Sequence, residues 1–68
     1  MPKRYSTRNV EQVLLSRGFE RLGQRGSHVK YGGGVHVVIV VAGRNQIRAG
    51  TMSSIARQAG LSLADFDV

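Results

Sequence analysis

Apolar residues recur at Val10, Val13 and Leu14, three and four positions apart, and then the period changes. That spacing predicts a first helix, with Ser6 as its N-cap and Gly18 just past its last turn. From 19 to 31 the helical period is gone. Phe19, Val29 and Tyr31 favour extended backbone, while Gly23 and Gly26 signal a bulge or a tight connection, so two strands joined near Arg25 and Gly26 are expected. The three glycines at 32–34 can supply the positive φ angles of a second hairpin turn. The run VHVVIVV at 35–41, the most β-branched in the chain, then reads as a third strand.

Alternation puts Val35, Val37, Ile39 and Val41 on one face of that strand and His36, Val38 and Val40 on the other. Both faces are apolar, and two helices cannot cover both. Val38 and Val40 are expected to form a patch that a monomer would rarely leave exposed, open to a partner. The segment AGRNQIRAG at 42–50 is polar and reads as a loop of functional length. A second helix is expected from an N-cap at Thr51 to Gly60, burying Met52, Ile55 and Ala56. Ser62 and Asp65 have capping-box spacing for a last short turn that packs Leu61, Leu63 and Phe66 back on the core.

The order helix, three strands, helix predicts one α+β domain over residues 1–68, with a three-stranded antiparallel sheet and both helices on one face. This α-β-β-β-α order is the double-stranded-RNA-binding architecture. A chain of 68 residues buries only about 60% of its unfolded surface. With no cysteine to staple it, stability must come from packing or from a partner.

Charge sharpens the choice of partner. Ten Lys and Arg against four acids give a net charge of +6 and a pI near 11.3, the footprint of a protein that binds nucleic acid or another anionic surface. The cations are spread from Lys3 and Arg4 to Arg57 and form no tail. No apolar run approaches the roughly 20 residues that cross a bilayer, and MPKRYSTRN offers no signal-peptide core, so a cytoplasmic protein without a membrane partner is expected.

Few catalytic constellations fit the inventory. Glu11, Glu20, Asp65 and Asp67 lie far apart in sequence and none has metal-ligand spacing with a histidine, so no metal site or cofactor is expected. The glycines match no phosphate-loop motif. Ser27 and His28, adjacent on a strand, point to opposite faces and cannot pair as nucleophile and base.

A lone histidine still suffices for one reaction class, RNA cleavage by the substrate's own 2′-hydroxyl. That reaction needs a proton shuttle and cations on the phosphate. His28 is flanked by Arg25 and Lys30, and strand parity puts His28 and Lys30 on the face opposite Val29 and Tyr31. On the residues alone, an ordinary surface histidine on a strand is the favoured reading. His36, in the middle of the third strand, reads as a structural or surface residue.

RGSHVKY after a helix and a short strand, followed by GTMSSIARQAGLSLADF, resembles the HicA (YcfA-like) family of bacterial mRNA interferase toxins. The resemblance runs over nearly the whole chain: a Gly-Ser-His motif, then a Gly-Thr helix start, then an Arg-Gln-Ala-Gly-Leu helix end. It implies a double-stranded-RNA-binding-like fold, ribonuclease activity on mRNA, and neutralisation by a HicB-type antitoxin. The family's histidine carries over to His28 and its Gly-Ser lead-in to Gly26 and Ser27. Toxins of this family often have a Pro-x-His element after the third strand and a Pro-Gly-Thr before the second helix. In this chain Val40, Val41 and Ala42 stand in the first, and Ala49 precedes Gly50.

The leading expectation is therefore a metal-independent endoribonuclease with His28 as general acid or base and Arg25, Lys30, Arg44 and Arg48 as phosphate contacts. The alternative is a non-catalytic RNA-binding module of the same fold. A third reading, a structural protein assembled with a larger partner, rests on the apolar sheet face alone.

Overall fold

A computed structural model describes residues 5–67; Lys3 and Arg4 of the basic set lie outside the described residues. Helix α1 (Thr7–Ser16) leads into strands β1 (Glu20–Arg25), β2 (His28–Gly33) and β3 (His36–Val41), then helix α2 (Ala49–Ala59) and a 3-10 turn (Leu63–Phe66). The strands form one antiparallel sheet in the order β1-β2-β3. This is the expected α-β-β-β-α fold.

Helix α1 begins where its cap dictates. The Asn9 N–H donates to the Ser6 hydroxyl oxygen at 3.1 Å, which satisfies one of the N–H groups that a helix start leaves free. Val10, Val13 and Leu14 then fall on one buried stripe. Helix α2 starts three residues before the sequence suggests: its N-cap is Arg48, not Thr51. The reason lies in the loop before it. The Ile47 N–H donates to the Tyr5 carbonyl at 2.7 Å and buries the Ile47 side chain, which sets the chain's entry angle. Ala49 and Gly50 then continue directly into the helix, and Thr51 lies inside its first turn.

The second hairpin is also tighter than expected. Gly32 and Gly33 belong to β2, and the turn consists of Gly34 and Val35 alone, so β3 opens at His36.

Both helices cover the same sheet face. Val29, Tyr31, Val38 and Val40 meet Val10, Val13 and Leu14 of α1 and Met52, Ile55, Ala56 and Ala59 of α2 in one apolar cluster, completed by Phe19, Ile47 and Phe66. Val38 and Val40 are fully buried, which corrects the expectation that they form an open patch. Their parity with Val29 and Tyr31 turns them toward the helices, and the exposed valine and isoleucine of β3 are instead Val37 and Ile39.

Buried polar groups in this core are satisfied. The Tyr31 hydroxyl donates to the Glu11 carboxylate, and burial first, then that hydrogen bond, pushes the phenol up to about 12.

The 3-10 turn closes on α1 through Asp65. Its carboxylate accepts from the Ser62 N–H at 2.8 Å and the Ser62 hydroxyl at 3.0 Å, and pairs with Arg17 at 2.8 Å. The Ser62 bonds, and then Arg17, hold this carboxyl below its ordinary range.

Candidate active site

One extra residue in β1 determines what stands beside His28. Arg21 lies opposite Tyr31, Gly23 opposite Lys30 and Arg25 opposite His28, so Leu22 has no partner of its own and forms a β-bulge. Counting from Arg21 without the bulge, Gln24 would oppose His28. The bulge shifts the parity and puts Arg25 there, on the open face of the sheet.

The connection to β2 keeps that register. Gly26 and Ser27 form a two-residue turn in which the positive φ, +57°, falls on the first residue only, as a type II′ hairpin requires. The Ser27 carbonyl accepts the Ala42 N–H at 2.6 Å, which ties the turn to the end of β3.

Across the open face the rows run Arg25, His28, Val41 and then Gly23, Lys30, Ile39. Leu22, Gly23, Gln24, Arg25, His28, Lys30 and Ile39 line one concavity of about 480 Å³. Leu22 lies directly over Gly32, where a β-carbon would come within 2.8 Å of its Cδ1. Glycine at that position makes room for the leucine.

The fold brings Arg25, His28 and Lys30 together: His28 and Lys30 share a face by strand parity, as expected, and Arg25 joins them through the bulge. Arg44 and Arg48 are placed elsewhere: with Val41, Gln46, Ile47, Thr51 and Ile55 they line a second depression of about 350 Å³, at the end of β3 and the start of α2. Val41 links the two, since it is the cross-strand partner of His28.

Thr7 fixes the loop that carries Arg44. Its hydroxyl donates to the Val41 carbonyl at 2.7 Å and accepts the Arg44 N–H at 3.0 Å, while the Thr7 N–H donates to the Arg44 carbonyl at 2.9 Å. Thr7 is a positioning residue that no local sequence signal marks; for Leu22 the one local signal is its neighbour Gly23, which marks a bulge or a tight connection.

Among the described residues the one ion pair is Arg17 with Asp65, so Arg25, Lys30, Arg44 and Arg48 carry charge that no carboxylate offsets. Such cations in a water-accessible hollow suit phosphate oxygens. His36 stands apart from this set. It starts β3 with the parity of the covered face, and its ring lies against Gly60 at the end of α2.

Among the described residues no three of His, Cys, Asp and Glu gather as a cation site would require. No helix among them is long and apolar enough to cross a membrane.

A family model described as HicA toxin of bacterial toxin-antitoxin matches residues 7–61. No curated protein matches the chain.

Proposed function

The chain belongs to the HicA toxin family, the toxins of bacterial toxin–antitoxin systems, and from that premise we propose that it is an endoribonuclease that cuts mRNA without a metal ion, using His28. The observation that carries this reading is the bulge-set row of Arg25 opposite His28, with Lys30 next along the same open face.

In the reaction the substrate's 2′-hydroxyl attacks the adjacent phosphorus, the bond to the 5′-oxygen breaks, and a 2′,3′-cyclic phosphate and a 5′-hydroxyl result. The 2′-oxygen must lose a proton and the 5′-oxygen must gain one. In-line attack places these two oxygens on opposite sides of phosphorus, so His28 carries one transfer and water the other. Arg25 and Lys30 hold the non-bridging oxygens as negative charge builds on them. Arg44 and Arg48, in the neighbouring depression, take phosphates further along the strand.

Chelator-treated protein should cut bare RNA and leave cyclic phosphate ends, and a 2′-deoxy substitution at the cut site should stop it. Binding without cleavage would instead identify a non-catalytic RNA-binding module. That outcome has a basis in the residues, because Val41 stands opposite His28 where a second titratable group would have helped.

The antitoxin, of HicB type, and the cytoplasm as the place of action complete the reading. The antitoxin covers the open face with His28, and hydrogen exchange on complex formation should protect β2 and β3. Protection confined to α2 would rule out that mode of inhibition.

A further inference from the structure

The concavity that holds His28 is half cationic and half aliphatic. Arg25, His28 and Lys30 occupy one side of it, and Leu22 and Ile39 close the other. Leu22 is 55% exposed and Ile39 40%, so the aliphatic side is open to a ligand and is not spare core. The proposed cleavage accounts for the cations and assigns nothing to Leu22 or Ile39.

We propose that Leu22 and Ile39 form a platform for one unpaired nucleobase beside the phosphate held by Arg25 and Lys30, so that the chain takes RNA as a single strand with a base turned out onto the sheet. The proposal rests on the RNA reading given above.

Three features select this occupant. A ligand that fills the hollow must be anionic at one end and apolar at the other within about 480 Å³, and a nucleotide, with its phosphate and the apolar face of its base, meets both demands. The cations beside the platform have no carboxylate partners among the described residues, which matches a polyanion and disfavours a purely apolar protein segment. In duplex RNA the bases are stacked inside the helix and cannot reach a sheet surface, whereas unpaired bases can be splayed onto one.

The platform reads shape and not hydrogen bonds. Gln24, the amide in the hollow, is already engaged: its oxygen accepts from Arg21, and its Nε2 donates to the Gly26 carbonyl at 2.9 Å. Base identity should therefore matter little, with the larger purines held somewhat more tightly than pyrimidines.

The test uses short 2′-O-methyl oligonucleotides, which cannot be cleaved, so its result stands whether or not the chain is a nuclease. One oligonucleotide carries a normal central base, a second has that base removed, and a third is paired as a duplex. At low salt the parental protein should bind the base-bearing strand about three- to ten-fold more tightly than the abasic one, the scale of one partly buried aliphatic contact. Leu22→Ala should erase that difference, and Leu22→Phe should widen it, because an aromatic ring stacks better. Circular dichroism confirms that each variant is folded.

Equal affinity for base-bearing and abasic strands would overturn the proposal, as would a base-dependent difference that Leu22→Ala leaves intact. Tighter binding of the duplex would also overturn it. If Leu22→Ala spares RNA binding and weakens only the antitoxin complex, the platform belongs to the protein partner and the proposal fails.

Discussion

The two faces of the sheet are drawn from alternate residues of the same strands, yet they do opposite work. On the covered face Val29, Tyr31, Val38 and Val40 are buried among helix side chains and hold the fold together. On the open face His28, Lys30, Val37 and Ile39 are exposed and hold almost nothing. Neighbours in sequence thus differ more in role than residues a whole strand apart. A one-residue change of parity is enough to move a side chain from the core to the open face, and the β1 bulge uses that fact to put Arg25 opposite His28.

The largest effect should come from placing one charge on either side of this divide. Val40→Asp puts an unpaired carboxylate in the core, which costs about 3–5 kcal/mol or more and is comparable with the whole stability of so small a domain. Circular dichroism should show an unfolded chain. Ile39→Asp, one position away, should stay folded and lose RNA affinity through repulsion. Equal stability of the two variants would break the comparison.

His28→Ala should lower RNA cleavage by about 10² to 10⁴ in rate, the usual worth of general acid–base help. Its stability should change by no more than roughly 0.5 kcal/mol, because an exposed side chain leaves few contacts behind. His36→Ala, against Gly60, is the control and should retain most activity. An unfolded His28 variant would mean that the open face carries structure after all, and parental cleavage by it would remove the catalytic assignment.

A smaller effect tests the open face as a phosphate surface. RNA affinity should fall log-linearly with salt, and Lys30→Ala should weaken binding for all sequences alike and reduce the slope by about 1, the share of a single phosphate contact. A flat salt response would leave the positive charge a role in solubility alone.

The smallest effects are in the covered half and depend on pH. Asp65 has a lowered carboxyl in the folded chain, so its contribution is present above the unfolded carboxylate range and is lost as pH falls through the folded value. Acid should therefore loosen the 3-10 turn first, seen as faster exchange at 62–67, and Arg17→Ala should shift that loosening to higher pH. Tyr31 has the opposite sign. Its phenol is raised to about 12, so stability should decline as pH climbs from about 10, where the unfolded phenol ionises, toward that value. An alkaline absorbance titration that shows Tyr31 ionising at the ordinary value would contradict its burial.

The sequence by itself determined the elements, their order and the antiparallel pairing, because hydrophobic period, caps and glycine turns are local signals. It also placed His28 and Lys30 together, since strand parity within one unbroken strand can be counted. The HicA resemblance was legible for a similar reason: its motifs are short and contiguous.

Only the tertiary structure decided which valines are core. Val38 and Val40 cannot be told from Val37 and Ile39 until the register with β2 fixes which face the helices cover. The same holds for the start of α2, which follows from the Tyr5–Ile47 contact across the chain and not from Thr51 as a capping residue. Charge alone groups Arg44 and Arg48 with Arg25, and the fold puts them in a separate depression because the Thr7 bonds direct their loop toward the helix starts. Gly23 signals a bulge or a tight connection, but the register that a bulge sets is not local. A bulge adds a residue to one strand only in relation to its partner, so its consequence, Arg25 opposite His28, exists only once the two strands are paired.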